Sequence, residues 1–221
     1  MKLLSTRNFK TIKGEKLGYL TGVLYLAPAK ISGYEVCPRR SAGCTSACLF
    51  TAGMGAFSTV QQARINKTKA YFEDRKVFMA QLEKDIKALV RKASKLSMKP
   101  AIRLNGTSDI DWVNSGIMDK FPTVQFYDYT KVLKRLRQDI PANYNITFSR
   151  SEINDTECSA ALAMGFNVAA VFKSLPQQWM GREVVNGDET DVRFADEKGV
   201  VIGLTAKGKA RKDNSGFCIN V

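Results

Sequence analysis

The sequence predicts an α/β protein built as a parallel βα barrel or partial barrel, and three features of the chain indicate this fold. Short apolar runs recur along the second half of the chain, and each is followed by a cluster of polar residues. Helical segments separate several of these runs at spacings of about 20 residues, which is typical of βα units and parallel sheets. A loop rich in glycine, serine and cysteine follows the first apolar run, at the end of a strand where a βα barrel builds its active site.

The N-terminal half contains a strand, the cysteine loop and a long helical region. Residues 17–26 form an apolar run that predicts a buried strand, and residues 32–55 form the cysteine loop. Residues 58–96 predict two helices or one kinked helix, because apolar side chains recur there at helical spacing and basic residues fill the opposite face. The apolar stripe consists of Phe78, Leu82, Ile86, Leu89, Val90 and Ala93.

The second half supplies the other predicted strands and two shorter helices. The strands are predicted at residues 101–104, 124–127, 145–148, 167–172, 184–185 and 200–204. The helices are predicted at residues 131–139 and 155–164. The last two apolar runs lie closer together, so they are also compatible with an antiparallel hairpin. No linker interrupts the chain, and we expect one domain over residues 1–221 with a basic segment at residues 205–221.

Composition excludes several classes of site. The chain has 221 residues, a formal charge of +13, five cysteines and no histidine. Without histidine it cannot build a Ser-His-Asp or Cys-His nucleophile, nor a histidine-ligated zinc, copper or iron site. Any transition-metal site must therefore use cysteine, and general acids or bases must be Asp, Glu, Lys, Tyr or Cys.

The cysteine loop is the strongest candidate for a metal site. Cys37, Cys44 and Cys48 have the spacing C-x6-C-x3-C, and three thiolates within twelve residues can converge on one metal if the loop wraps around it. Arg39 and Arg40 next to Cys37 would favour the thiolate form. Three thiolates leave one iron of a [4Fe–4S] cluster open for a ligand. Zinc with a fourth ligand and separate redox thiols are alternatives.

The other two cysteines are weaker candidates. Cys158 lies in a predicted helix and is interpreted as a core residue, since buried cysteine behaves as a small apolar side chain. Cys218 follows Gly216 near the C-terminus and is a weak candidate for a fourth ligand.

Polar side chains at the predicted strand ends are candidates for the remaining site. The carboxyl ends of parallel strands meet at one edge, and in βα barrels this edge carries the active site. For Asp109 and Asp128, capping of a following helix is the alternative. The strand-end candidates are Asn105, Asp109, Asp128, Lys131, Arg150, Glu152, Lys173 and Asp188.

The chain resembles two known groups of proteins. The three-cysteine loop after the first strand resembles that of radical S-adenosylmethionine (SAM) enzymes, although their usual spacing is C-x3-C-x2-C. The segments LGYLTGVLYLAP, RLNGTSDI, FYDYTK, TFSRSE and AKGKARKDNSGF resemble a phage-encoded family named after a numbered mycobacteriophage gene product. The second resemblance covers residues 17–217 and implies a viral protein acting in the cytoplasm of a bacterial host. By itself it implies no activity.

The resemblance to radical SAM enzymes suggests roles for the strand-end residues. Asn105, Thr107, Ser108 and Asp109 would contact the amino and carboxylate groups of SAM. A carboxylate or the ribose would be held by Ser149, Arg150 and Glu152, with Arg150 as a forked anion binder. Asp128, Tyr129 and Lys131 would contact substrate. Asp109, Asp128, Lys131, Arg150 and Glu152 are thus the catalytic candidates, and Asn105, Thr107, Ser108 and Ser149 the cofactor-binding ones.

The excess of basic residues indicates an anionic partner. Lys207, Lys209, Arg211 and Lys212 form a basic run that could hold phosphate of a nucleotide or nucleic acid, or simply be a solvated surface. An acidic host protein is the other expected partner. A membrane is not expected as a partner, because no apolar stretch approaches the roughly 18 residues that span a bilayer.

Three functional hypotheses remain open. The first is a [4Fe–4S] protein, radical-SAM-like, that acts on a nucleic acid, nucleotide or host component. The second is a non-catalytic iron–sulfur or zinc module that binds nucleic acid or a host protein through its basic surface. The third is a structural virion protein without a metal.

Overall fold

The protein has a mixed α/β fold organised around one large sheet. A computed structural model describes residues 1–6 and 9–221. Within these residues, ten strands form a sheet in the order β1-β2-β3-β4-β5-β6-β9-β8-β7, and β10 pairs with β6. The strands are β1 Leu4–Ser5, β2 Tyr19–Leu24, β3 Lys99–Arg103, β4 Gln125–Thr130, β5 Tyr144–Ser149, β6 Val168–Phe172, β7 Gln178–Trp179, β8 Arg182–Asn186, β9 Val201–Thr205 and β10 Cys218–Ile219. The α-helices are α1 Phe9–Glu15, α2 Ala42–Ser46, α3 Ser58–Glu73, α4 Arg75–Lys95 and α5 Asp155–Ala163.

The sheet is largely parallel, as predicted. The strands β2, β3, β4, β5, β6, β9 and β8 follow one another in parallel, so their carboxyl ends lie along one edge. The short strands β1 and β7 pair antiparallel to β2 and β8 at the two ends. Because β8 and β9 are parallel, the hairpin alternative for the last two apolar runs is wrong.

The C-terminal segment returns to the sheet. Phe148 and Ser149 of β5 pair with the first half of β6, and Cys218 and Ile219 of β10 pair with its second half along the same edge. The basic run before β10 is therefore held against the body of the protein and is not a free tail.

The long helical region consists of two helices, as expected. Asp74 separates α3 from α4 and caps α4 by accepting a hydrogen bond from Val77 N at 3.1 Å. The predicted apolar stripe faces the core and packs against β1, β2 and β3. The predicted helix at residues 131–139 is only a 3-10 turn, Leu133–Arg137, whereas α5 matches its prediction closely.

The core lies between the sheet and the helices. It contains large apolar side chains that are almost fully buried, among them Trp112, Phe126 and Phe148. In the described part of the chain, none of the helices combines the length and the apolar character that a bilayer crossing requires.

Candidate functional site

The cysteine loop connects β2 to α3 at the carboxyl edge of the sheet. Cys37 precedes α2, Cys44 lies within it, and Cys48 follows it. All three are free thiols of intermediate exposure, whereas Cys158 and Cys218 are buried. Cys44 lies within α2 and Cys48 just beyond its C-terminal cap, Ala47, where the backbone is no longer helical.

Burial and neighbouring charges change the pKa values of Cys37 and Cys48. Burial, together with the charges of Asp109, Cys48 and Cys44, raises the pKa of Cys37 to about 12, although the hydrogen bond from Ala29 N acts in the opposite direction. Burial also raises the pKa of Cys48, while Lys131 and Arg64 act in the opposite direction. In residues 1–6 and 9–221, no three His, Cys, Asp or Glu side chains are already arranged to hold a metal ion. Binding would therefore require the loop to close and the thiols to lose their protons.

The backbone supplies a hydrogen-bond donor to Cys37. Ala29 N lies 3.5 Å from Cys37 Sγ, and Ala29 has a φ of +52°. A residue with a Cβ rarely adopts this left-handed conformation, which costs on the order of 1 kcal/mol or more. The surrounding loop thus maintains a strained residue whose N–H points at the thiol.

Glu152 holds the start of α2. Its carboxylate accepts hydrogen bonds from Ser41 Oγ at 2.6 Å and from Gly43 N at 2.7 Å. Burial alone would raise the pKa of Glu152, but these hydrogen bonds outweigh it and lower the pKa. A Cβ at Gly43 would lie 2.2 Å from Ser215 Oγ and 2.8 Å from the carboxylate, so only glycine permits this contact. Glu152 thereby positions the helix that carries Cys44.

Asn105 organises the loop after β3. Its Oδ1 accepts hydrogen bonds from Ser108 Oγ, Ile110 N and Trp112 Nε1, and its Nδ2 donates to Ile110 O. Thr107 Oγ1 donates to Leu26 O at 2.6 Å, which connects this loop to the chain after β2. The cofactor-binding candidates Asn105, Thr107 and Ser108 therefore lie together, with most of their polar groups engaged inside the protein.

Asp109 is part of a buried ion pair. Its carboxylate accepts hydrogen bonds from Thr130 Oγ1 at 2.8 Å, from Lys131 N at 2.9 Å and from Arg135 Nη1. The side chains of Asp109 and Arg135 are 11% and 13% exposed. Asp109 thus joins the loop after β3 to the chain after β4, close to Cys37.

Asp128 lies inside β4 and not after it, so the helix-cap alternative is wrong for this residue. The side chain is 1% exposed, and Oδ1 accepts a hydrogen bond from Asn105 N at 2.6 Å. Tyr144 OH lies 3.2 Å from Oδ2. Burial raises the pKa of Asp128 to about 7, although hydrogen bonds and Arg103 partly offset this effect.

We expect Asp128→Asn to change how stability depends on pH. In the wild type the pKa is about 7 when folded and about 4 when unfolded, so stability decreases as pH rises from 4 to 7. The variant mimics the protonated side chain and should be more stable than the wild type at pH 8, by roughly 2–4 kcal/mol, with little difference at pH 4. Urea unfolding at both pH values measures this difference.

Asp119→Asn is the control for this prediction, because Asp119 is exposed and lies outside the buried network. A constant difference between Asp128→Asn and the wild type from pH 4 to pH 8 would contradict the prediction.

Lys131 and Ser149 meet at the ends of β4 and β5. Lys131 Nζ donates to Ser149 Oγ at 2.8 Å and lies 5.9 Å from the centre of the Phe217 ring. Its charge acts to lower the pKa of Cys48, which places it beside the cysteine loop. An ammonium group has three donors, so Lys131 keeps donors for an anionic ligand.

Arg150 is engaged within the protein. Its Nε donates to Asp155 Oδ1 at 2.8 Å, and its Nη1 donates to the carbonyl oxygens of Gly216 and Phe217. The side chain is 8% exposed. Arg150 therefore fastens the C-terminal segment to the end of β5.

Comparison with known proteins identifies the family. The family model described as "Gene product 88" matches residues 2–221. The chain belongs to the Gene product 88 family. No curated protein and no solved structure has significant similarity to it.

In this Gene product 88 chain, sequence reasoning missed Arg64. This residue of α3 is 8% exposed, and its guanidinium lies 4.7 Å from the ring centre of Tyr25 and 5.6 Å from that of Phe50. Among the described residues, its buried Nη1 has no hydrogen-bond partner. The sequence does not distinguish a buried arginine from the exposed basic residues around it in the same helix. The burial of Arg64 becomes apparent only from the packing of α3 against the cysteine loop.

A second missed group lies next to β3 and β4. Arg103 Nη1 pairs with Asp191 Oδ2 at 3.2 Å, and Tyr127 OH donates to the same oxygen at 3.1 Å. The Arg103 guanidinium also lies 4.5 Å from the centre of the Tyr129 ring. Asp191 follows β8 and is far away in sequence, which explains why no local pattern indicated the group.

Proposed function

We propose that this Gene product 88 protein binds a [4Fe–4S] cluster through Cys37, Cys44 and Cys48. We further propose that it is a radical-SAM-like enzyme of a phage, acting in the host cytoplasm on a nucleic acid, nucleotide or host component. The observation that supports the proposal is that Cys37, Cys44 and Cys48 lie in one loop after β2 of a parallel sheet, and that Cys44 and Cys48 are both close enough to Cys37 to raise its pKa. Thiolates are the usual ligands of iron–sulfur clusters.

The surroundings of the thiols fit an anionic group. The unpartnered Nη1 of Arg64 is buried, and Arg64 and Lys131 both favour negative charge on Cys48. A buried donor without a partner costs about 1–3 kcal/mol, so a sulfur ligand at this position would relieve a cost that the polypeptide alone leaves. The N–H of Ala29 provides a further donor to sulfur at Cys37.

A barrel-like arrangement is part of the proposal. The chain after β8 reaches back to the other end of the sheet, where Phe194 lies 4.9 Å from the Tyr19 ring of β2 and 5.4 Å from the Tyr127 ring of β4. The pairing of Asp191 with Arg103 of β3 reinforces this contact. These contacts support a partial barrel whose open side is covered by the segment after β8.

When bound through three thiolates, a [4Fe–4S] cluster offers one iron that can bind a ligand and transfer an electron. The residues of this chain would position that ligand. Lys131 is suited to hold its anionic end, and Glu152 and Asp109 keep the cysteine loop and the neighbouring strand ends in register.

Anaerobic reconstitution tests the proposal. Purified protein incubated with iron and sulfide should retain about four iron and four sulfide per chain and develop the broad visible absorption of thiolate-bound iron. Addition of SAM should then change the electron paramagnetic resonance spectrum of the reduced cluster. Stoichiometric zinc in a colourless protein, with no uptake of iron, would exclude the cluster.

Arg64→Gln should lower the reduction potential of the reconstituted cluster, by tens of millivolts. Loss of a nearby positive charge stabilises the more oxidised form, and the charge of Arg64 acts on Cys48 from a buried position. A spectroscopically monitored redox titration measures the shift.

Arg75→Gln is the matched control. Arg75 also lies over an aromatic ring, 3.9 Å from the centre of Tyr71, and its loss removes the same charge from an exposed position. Equal shifts in the two variants would show that only net charge matters and would remove Arg64 from the site.

One observation favours the non-catalytic alternative. Most polar groups of the residues predicted to contact SAM already form hydrogen bonds within the protein. This holds above all for Asn105, Asp109 and Arg150. If the reduced, reconstituted protein leaves SAM intact, an iron–sulfur or zinc module without catalysis is the better description. Release of 5′-deoxyadenosine would exclude it.

A further inference from the structure

The outward face of α4 carries a row of basic side chains, which we call the α4 stripe: Lys84, Lys87, Arg91 and Lys95. At about 100° per residue, these four side chains project within an arc of about 80°. The core-facing residues of α4 occupy the opposite side of the helix. All four stripe residues are exposed, so the stripe faces directly away from the sheet.

The α4 stripe has no counter-charge in the described part of the chain. None of its four side chains makes a hydrogen bond or an ion pair with residues 1–6 or 9–221. The two carboxylates that flank Lys84 in the sequence, Glu83 and Asp85, bond to residues outside the stripe. Glu83 pairs with Lys120, and Asp85 accepts hydrogen bonds from Leu3 N, Leu4 N and Gln81 Nε2. The helix thus turns its acidic groups to its flanks and leaves the stripe uniformly positive.

We propose that the α4 stripe binds the phosphate backbone of double-stranded nucleic acid. The four charges span about 16 Å along the helix, and a duplex carries one negative charge per roughly 1.7 Å of its axis. Over this length a duplex carries about nine phosphate charges, so a straight row of four cations can contact several phosphates of one duplex. Lysine predominates in the stripe, which fits contacts to phosphate and not the readout of bases.

Two other partners fit the α4 stripe less well. Protein interfaces depend on a buried apolar or aromatic anchor surrounded by polar residues. The stripe itself supplies no such anchor, and Phe121 and Pro122, which line a groove with Lys87 and Arg91, lie on one flank of it. Single-stranded nucleic acids are bound by stacking of bases on aromatic side chains, and the stripe contains none.

The basic run near the C-terminus is a weaker phosphate site than the α4 stripe. Lys207 pairs with Asp188 at 2.6 Å, and Asp213 lines the same groove as Lys209 and Lys212. Nearby carboxylates therefore reduce its positive potential, while the α4 stripe retains all of its charge.

Fluorescence anisotropy with labelled duplexes tests the inference on the full-length protein without added metal, so its outcome is independent of the cluster. Lys87→Glu, Arg91→Glu and Lys95→Glu are combined in one variant, and Lys209→Glu, Arg211→Glu and Lys212→Glu in a control with the same change in charge. The stripe variant should bind duplex DNA about 100-fold more weakly, and its log–log salt slope should fall by about 2.7 in magnitude. The control should lose less than about 5-fold.

Further binding measurements distinguish between the possible ligands and test whether the variants are folded. Duplex DNA and duplex RNA of equal length distinguish the two sources of backbone phosphate, and binding of either supports the inference. Polyglutamate and oligo(dT) serve as competitors and should compete poorly at equal charge. A variant with glutamine at positions 87, 91 and 95 keeps helix-forming residues and should show an intermediate loss. Equal losses in the stripe variant and the control, or competition by polyglutamate as strong as by duplex, would overturn the inference.

Discussion

Cys44→Ala should abolish binding of iron and sulfide while leaving the fold of the metal-free protein unchanged. Cys44 is partly exposed and lies in α2, where alanine is compatible with a helix. The cap of α2 is independent of the thiol, since Ser41 Oγ accepts its hydrogen bond from Cys44 N. With only two thiolates left in the loop, the cluster loses a ligand it cannot replace from histidine, which the chain lacks. Iron and sulfide analysis after reconstitution measures the loss.

Cys218→Ala provides the opposite pattern and is the matched control. Cys218 is 4% exposed, packs against Ala47 and Ala206, and lies 3.2 Å from Ala210 O. Its replacement should lower the free energy of unfolding by about 1 kcal/mol and leave the iron content intact. If both variants kept their iron, the three-cysteine site would be refuted; if both lost it, Cys218 would be a fourth ligand.

Asp109→Asn should destabilise the fold by about 3 kcal/mol. The variant removes the closer of the two carboxylates that face Arg135 in a poorly exposed site, and the amide nitrogen of asparagine cannot accept the hydrogen bond from Lys131 N. Loss of one partner of a buried ion pair is costly because the other charge stays desolvated. Thermal and urea unfolding of the metal-free protein measure this effect apart from any activity.

Asp111→Asn is the control for the same arginine. Asp111 Oδ2 lies 4.0 Å from Arg135 Nε, and its side chain is 32% exposed, so its loss should cost less than about 1 kcal/mol. Should Asp109→Asn be as stable as this control, Asp109 would not be a positioning residue, and its prediction as a catalytic group would gain weight.

The sequence predicted the class of fold because hydrophobic periodicity depends on local spacing. The stripe from Phe78 to Ala93 has helical spacing, and it faces the core as predicted. The recurring apolar runs correctly indicated parallel strands. The position of β10 was not predicted, because a two-residue strand gives no periodic signal and forms only where β5 ends along β6.

The sequence predicted which residues belong to the candidate site, and the structure shows which other residues each of them contacts. Glu152 accepts hydrogen bonds from Ser41 and Gly43 of the cysteine loop, and Asp109 N donates to Val36 O in the same loop. Yet Asn105, Asp109, Arg150 and Glu152 bond chiefly to other parts of the protein. Whether a polar side chain at a strand end faces a ligand or another loop depends on chain segments that are distant in sequence.

By itself, the sequence determined which chemistry the protein has at its disposal. The lack of histidine and the spacing of Cys37, Cys44 and Cys48 direct the prediction of a transition-metal site to one loop, because both are properties of composition and order. Only the tertiary structure decided that Arg64 is buried beside that loop, while Lys84, Lys87, Arg91 and Lys95 have no partner within residues 1–6 and 9–221. Basic residues look alike in sequence, because their electrostatic roles depend on burial and on neighbouring charges, which exist only after the chain has folded.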